Sequence, residues 1–212
     1  MHINSNIRKS WNFVFIYLTR NSRIGTLSHG LFNKPNPYLH APYDRSLFSK
    51  AVVYVCEHNK EGAMGMIINK QFQAPDLKEL FEKLYIGDDT IHSLVNDIFF
   101  GGPILLERGI VLHDAAYKSE GTINISDHIS MTSQQHVLKE LQRRPDIPFK
   151  LMLGHSGWSQ GQLEREIKNG DWLKQNTTQD FIFNVNPEQM WQQAIGSLGM
   201  DLGPSLGISG QA

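Results

Sequence analysis

The feature that most constrains the fold is a glycine- and serine-rich segment at residues 154–161, Gly-His-Ser-Gly-Trp-Ser-Gln-Gly. It follows a mostly apolar run at residues 149–153, which predicts a strand. It precedes a short amphipathic run that predicts a helix, with Ser159 and Gln162 in capping-box spacing. Helix N-termini offer unpaired backbone N–H groups, so α/β proteins often build sites there. The sequence therefore predicts a strand, a loop with a candidate site, and a helix.

Hydrophobic patterning predicts further short elements on both sides of this unit. The apolar run at residues 51–56 predicts a strand buried on both faces, and residues 63–69 predict its hairpin partner. Strands outnumber helices and one strand pair has a tight connection, which indicates an α+β fold with a mixed sheet in one domain. Other predicted strands are at residues 97–100, 109–113, 122–126, 129–131 and 181–185, and helices are predicted after Asp76, Ser133 and Asn186.

The composition is that of a soluble globular protein, with 212 residues, 40% hydrophobic and 19% charged. No apolar run reaches the roughly 18 residues that a membrane-spanning helix needs. The single cysteine, Cys56, excludes an internal disulfide and a multi-cysteine metal site, and it suits a reducing compartment. We therefore expect a cytoplasmic protein that does not contact membranes.

Charge is divided unevenly along the chain. Residues 1–43 hold five of the 20 basic residues and none of the 21 acidic ones, so residues 44–212 carry a net charge of −6. Nucleic-acid binding draws much of its affinity from neutralising phosphates, which argues against direct DNA binding by an acidic body. The sequence also lacks a helix-turn-helix with a basic recognition helix. We expect the partner to be a protein or a small molecule.

The first 43 residues differ from the rest of the chain. Residues 11–18 are mostly apolar and aromatic with basic flanks, and signal peptide, transit peptide and a divergent, disordered or misassigned N-terminus remain alternatives. Three prolines make residues 31–43 a poor central strand. We therefore predict an N-terminal segment at residues 1–43 and a single domain at residues 44–212.

The chain carries six motifs in a fixed order. They are VYVCEHN at residues 53–59, GAMG at 62–65, GGP at 101–103, RGIVLH at 108–113, the segment starting at Gly154, and NGDWL at 169–173. With these motifs the chain resembles the YqgE/AlgH family of bacterial proteins, from about residue 44 to about residue 207.

This resemblance implies a mixed, largely antiparallel, bifurcated sheet that curls into a pseudo-barrel with helices packed outside. It also implies an apolar first strand before residue 53, which here is missing, replaced, or located within residues 13–19. Some members of the family carry a transcriptional-regulator label. Because the sequence shows no DNA-reading element, we expect any regulatory role to be indirect.

Residues 154–158 nearly reproduce the G-x-S-x-G nucleophile elbow of hydrolases. In a hydrolase, Ser156 would be the nucleophile and a distant histidine the base. The candidate catalytic residues are Ser156 and His155. However, Trp158 stands where the elbow needs a small residue, and no triad acid can be assigned. We favour a structural turn whose glycines permit positive φ and whose Trp158 anchors the helix.

A small-ligand site is a further hypothesis. Its pocket would join the Gly-Gly-Pro loop at residues 101–103 to the loop at residues 155–158, since adjacent glycines let a backbone approach an anion. That signal is weak, because the loop lacks the Lys-Ser/Thr end of a P-loop. His113 and His155 each follow an apolar strand and could meet at one sheet end. The candidate ligand-binding residues are Gly101, Gly102, Arg108, His113, His155, Ser156, Gly157 and Trp158.

The sequence predicts neither a metal nor a cofactor. The nine histidines form no H-x-H or H-x-x-x-H pair. Cys56 ends an apolar run and is expected to be a buried, unreactive thiol. Trp172 is expected in the core or at an interface. The leading interpretation is a non-enzymatic regulatory or interaction protein, with small-ligand binding and serine hydrolysis as alternatives.

Overall fold

The computed structural model describes residues 13–17, 45–72 and 98–199. Within these ranges the chain forms nine strands, four α-helices and a 3-10 turn at Arg45–Phe48. The strands are β1 (Phe13–Tyr17), β2 (Val52–Asn59), β3 (Gly62–Ile67), β4 (Ile98–Phe100), β5 (Ile104–Asp114), β6 (Ile123–Asn124), β7 (Ile129–Thr132), β8 (Phe149–Ser159) and β9 (Trp172–Asn176). The helices are α1 (Gln135–Leu141), α2 (Gln162–Lys168), α3 (Gln179–Phe183) and α4 (Pro187–Ser197).

The strands form one sheet in the order β6-β7-β5-β8-β3-β2-β1-β9, and β4 pairs with β8 beside this path. Only the β4–β8 pairing among the described strands is parallel. The sheet forks at β8, whose first half pairs with β4 and β5 and whose last residues pair with β3. The sheet curls into a half-barrel, which confirms the predicted α+β fold with a mixed, largely antiparallel sheet.

Apolar side chains fill both faces of the central strands. Side chains of a strand alternate between faces, so Val52 and Tyr54 join the largest core cluster with α3 and α4, while Val53 and Val55 join a second cluster with α2. A third cluster packs α1 against β4, β5 and the first half of β8. Burial on both faces confirms the interpretation of residues 51–56.

Part of the N-terminal segment belongs to the sheet. β1 lies between β2 and β9 and pairs antiparallel with both. Its residues Val14 and Ile16 are fully buried in the largest core cluster. The first strand is therefore neither missing nor replaced, and it lies within residues 13–19. The boundary at residue 44 stays a prediction, and the predicted poor strand at residues 31–43 lies outside the described residues.

Several sequence-based assignments need correction. Residues 154–158 continue β8 and do not form a loop, and residues 172–176 form a strand that was not predicted. Residues 181–185, predicted as a strand, lie mainly in and just after α3, because Thr178 Oγ1 accepts the amide N–H of Phe181 at 3.1 Å and starts a helix there.

The helix caps predicted at Ser133 and Asn186 differ in outcome. The side chain of Asn186 accepts the amide N–H of Glu188 at 3.0 Å, and Pro187 occupies the first turn of α4, as predicted. Helix α1 is instead preceded by Gln134, one residue after the predicted Ser133 cap. The helix predicted after Asp76 lies outside the described residues.

Candidate functional site

The fork of the sheet is built by close backbone contact between two of the predicted glycine motifs. Gly154 has a φ of 70° and Gly102 a φ of 149°, which other residues rarely adopt. A Cβ atom on Gly101 would lie 2.3 Å from the carbonyl oxygen of Gly154. A Cβ atom on Gly102 would lie 2.3 Å from the carbonyl carbon of His155. The structure thus brings the two halves of the predicted ligand site together, and backbone fills the space between them.

Ser156 lies inside a paired strand. It stands opposite Gly65 of β3, and only 2% of its surface is exposed. Its hydroxyl donates to the carbonyl oxygen of Gly101 at 3.3 Å, and the same carbonyl accepts the amide N–H of Ile67 at 2.9 Å. Among the described residues, no histidine or carboxylate is hydrogen-bonded to this hydroxyl. Ser156 therefore ties β8 to the Gly-Gly-Pro segment.

This position differs from a nucleophile elbow. An elbow presents its serine on a sharp turn between a strand and a helix. Here β8 continues for three residues beyond Ser156, to Ser159, before the chain turns into α2. The capping-box contact does form, since Gln162 Oε1 accepts the amide N–H of Ser159 at 3.0 Å.

The two candidate histidines do not meet. His113 is paired with Phe149 and His155 with Ile104, so six residues of β8 separate the two positions. At the usual rise of a strand this is about 20 Å. His155 is half-buried beside Gly102, and burial lowers the pKa of its imidazole.

His113 is enclosed on the opposite face from the largest core cluster. It has no exposed surface, and its Nδ1 lies 2.8 Å from the carbonyl oxygen of Asp114. Its Nε2 is buried and has no hydrogen-bond partner among the residues that the structure describes, and its ring contacts that of Tyr117 edge-on at 5.5 Å. Burial is the main effect on the pKa of His113 and lowers it, which favours the neutral imidazole.

Arg108 lies on an irregular part of β5. The four residues 105–108 stand opposite one residue of β8, Gly154, because Ile104 pairs with His155 and Gly109 with Leu153. Leu105 in this bulge has a φ of 52° and is 43% exposed. Arg108 is exposed, as is Gly157 across the fork. The assignment of these residues to ligand binding stays a prediction.

A residue that the sequence analysis missed connects two tryptophans. Glu166 Oε2 accepts the indole N–H of Trp158 and that of Trp172, each at 2.8 Å. Its Oε1 accepts the side-chain amide of Gln162 at 2.9 Å. The two indole rings meet edge-on with centroids 5.9 Å apart. Trp158 thus anchors α2 to the sheet, in agreement with the structural interpretation of its motif.

A signal for Glu166 exists in the sequence. Buried tryptophans need an acceptor for their indole N–H. Glu166 lies on the short helix between the two tryptophans, four residues after Gln162, so it shares the face of that residue. This spacing makes Glu166 one of the acidic residues between the two tryptophans that could accept an indole N–H.

Cys56 is a buried thiol, as predicted. Its Sγ lies 3.6 Å from the carbonyl oxygen of Tyr54, and burial raises the pKa of the thiol well above its usual value. Such a thiol is a poor nucleophile at neutral pH. In residues 13–17, 45–72 and 98–199, no group of three His, Cys, Asp or Glu side chains could hold a metal ion. None of the helices described is long and apolar enough to span a membrane.

Comparison with known proteins defines the class to which this half-barrel belongs. Residues 37–203 match the family model DUF179, described as AlgH-like. The chain is 38% identical over 163 residues to a UPF0301 protein of Shewanella frigidimarina, covering 75% of this chain and 87% of the relative. It is 40% identical over 169 residues to a UPF0301 protein of Ralstonia pickettii, covering 79% and 86%. The chain belongs to the AlgH-like family.

Two solved structures share this fold. The solution structure of the AlgH protein from Pseudomonas aeruginosa superposes with a TM-score of 0.63 at 26% identity, covering 100% of both chains. A crystal structure of a protein from Corynebacterium diphtheriae superposes with a TM-score of 0.59, covering 93% of this chain and 89% of that one. Since its identity is 15%, this second match bears on the fold alone.

Proposed function

We propose that this protein acts in the cytoplasm by binding another protein, without catalysing a reaction, and that any effect on transcription is indirect. The observation that carries the proposal is the position of Ser156. The most site-like motif of the sequence lies in a buried strand, with its hydroxyl donating to the Gly101 carbonyl.

A catalytic serine must reach both a substrate and a base. Activated nucleophiles lie within hydrogen-bond reach of a base that accepts their proton. Ser156 instead donates to a backbone carbonyl that forms part of the fork. Only 2% of the surface of Ser156 is exposed, which leaves its hydroxyl little access to a substrate. The contacts of Ser156 therefore support a structural role for this motif. The protein would then act through surfaces that bind a partner.

Two further features support the proposal: one favours a protein partner over DNA, and the other favours a cytoplasmic location. Residues 44–212 carry a net charge of −6, which repels the phosphate backbone of nucleic acids. The single thiol, Cys56, is buried and forms no disulfide within the chain, which suits a reducing compartment.

The first test separates binding from hydrolysis. Native full-length protein is treated with a serine-directed fluorophosphonate probe, and the labelled peptide is located by mass spectrometry. We expect no labelling at Ser156 in the wild type, equal to the background of Ser156→Ala. Stoichiometric labelling of Ser156 in native protein, absent from Ser156→Ala, would show that the residue is an active nucleophile.

The second test looks for the partner directly. Untagged protein isolated from its own cells is compared by native and denaturing mass spectrometry. We expect an excess native mass of protein size, with a defined stoichiometry that persists through gel filtration. A native species that carries only a small-molecule mass would contradict the proposal and favour the ligand-binding alternative.

A further inference from the structure

The bulge of β5 exposes a large apolar side chain, that of Leu105, beside the fork of the sheet. We propose that residues 104–108 and the adjoining part of the fork form a contact surface for a second copy of this chain. This proposal does not depend on the partner protein proposed above, because it concerns association of the chain with itself and can be tested on the purified protein alone.

The backbone of Leu105 has a strained conformation. Its φ is 52°, in the left-handed region that residues other than glycine, asparagine and aspartate rarely adopt. Strain of this kind persists only where the surrounding structure imposes it, and it concentrates at functional sites. The same residue leaves 43% of its surface in contact with solvent, so the strain is not compensated by burial of its own side chain.

Both neighbours of Leu105 are anchored by glycines of β8. Leu106 is only 6% exposed, and its Cδ2 lies 3.2 Å from the position that a Cβ atom would take on Gly154. The Cδ1 of Ile104 lies 2.9 Å from the corresponding position on Gly157. Since the residues on either side are held by close packing, the fork fixes the conformation of Leu105. A contact that is ordered before binding loses less entropy when a partner binds.

Apolar surface continues from the bulge across the fork. Gly157 is exposed, and it stands opposite Met64 of β3, which is half-buried. Ile104, which packs against Gly157, is also half-buried. We call Met64, Ile104, Leu105 and Gly157 the fork patch. Exposed apolar patches of this kind mark surfaces that bind other molecules.

The charges beside the fork patch favour a second copy as its occupant. Glu107 and Arg108 are adjacent in the bulge, both are exposed, and their charges are opposite. In a dimer with a twofold axis, each copy contacts its partner through the same surface. An axis passing beside the bulge would bring Glu107 of each copy opposite Arg108 of the other and join the two fork patches. The bulge is therefore complementary to itself in charge.

The test measures self-association of the purified full-length protein by analytical ultracentrifugation over a wide range of concentrations. Leu105→Asn removes the exposed apolar side chain, and asparagine tolerates the positive φ. The matched control is Ile123→Asn on β6, which removes an apolar side chain that is 49% exposed. The charge variants are Glu107→Arg, Arg108→Glu and the double variant that exchanges the two charges. Thermal unfolding checks that each variant is folded.

We expect a concentration-dependent dimer in the wild type. Its dissociation constant should rise by about tenfold or more in Leu105→Asn and by less than about twofold in Ile123→Asn. Each single charge reversal should weaken the dimer, because it places like charges opposite each other. The double variant should restore the dimer, because the exchanged charges are again complementary.

Three results would overturn the proposal. They are a monomer at every concentration, a dimer that Leu105→Asn leaves unchanged, and a double variant that associates no better than the single charge reversals. A monomeric purified chain, together with a different protein that co-purifies with the wild type and is lost in Leu105→Asn, would assign the fork patch to that protein instead.

Discussion

Ser156 and Gly101 are joined by a hydrogen bond from the serine hydroxyl to the glycine carbonyl, 3.3 Å long and almost fully shielded from solvent. The bond links two segments that are 55 positions apart in the chain. It lies at the fork where β8 changes from β5 to β3. A motif that looks like an active-site loop is therefore part of the sheet.

Removing the Ser156 hydroxyl should destabilise the protein only modestly. In Ser156→Ala the Gly101 carbonyl keeps its bond from the Ile67 amide, so the free energy of unfolding should fall by about 1 kcal/mol. Urea denaturation measures this change, with exposed Ser133→Ala as the control. Unchanged stability in Ser156→Ala would mean that the bond contributes nothing.

Substitution of Gly102 should be far more damaging than substitution of a glycine with open surroundings. In Gly102→Ala the new Cβ would approach the backbone of His155 to 2.3 Å at a φ of 149°. We expect a loss of about 3 kcal/mol or more, or failure to fold. Gly196→Ala in α4 is the matched control, since nothing lies within 4 Å of its added Cβ. There the expected change is a gain of about 0.5–1 kcal/mol. Similar effects of the two changes in thermal unfolding would contradict the close backbone contact.

Glu166 should contribute more to the free energy of unfolding than Glu164, which lies on the same helix. Glu166→Ala leaves two indole N–H groups without their acceptor, and we expect a loss of about 2–3 kcal/mol in urea unfolding. Glu164→Ala removes only a solvent-exposed contact with His58, for which about 0.5 kcal/mol is expected. The reverse order of these two values would show that the tryptophan contact is not what holds α2.

Stability should decline in acid because of His113. Burial lowers its pKa in the folded state below 6.5, so beneath that pH the unfolded chain binds a proton that the folded protein does not. The His113 contribution is therefore complete above pH 6.5 and is lost as pH falls below it, by at most about 1.4 kcal/mol per pH unit. We expect the stability difference between wild type and His113→Phe to shift in favour of the variant between pH 7 and pH 5. A difference that stays constant over this range would exclude His113 as the cause.

Local sequence patterns predict those structural features that are determined by neighbouring residues. The apolar run at residues 51–56, the burial of Cys56 and the Asn186 cap each depend on neighbouring residues, and each is confirmed. The resemblance adds the forked, curled sheet, which no periodicity could supply.

Other structural features depend on residues that are distant in the chain, so local sequence patterns could not predict them. Gly154 resembles a loop residue, yet it lies within β8 because the Gly-Gly-Pro segment approaches it from another part of the chain. Trp172 begins a strand because β1 pairs with it. The expected meeting of His113 and His155 fails because strand register, which sequence does not reveal, places them at different positions along β8.

Amide hydrogen exchange of residues 154–158 in the native protein tests the central claim most directly. A paired, buried strand exchanges slowly, whereas an exposed loop exchanges fast. We predict that a peptide covering these residues is protected to the same degree as one covering residues 51–56. Exchange as fast as that of the exposed hairpin turn at residues 59–61 would show that the motif is an open loop, and it would restore Ser156 as a candidate nucleophile.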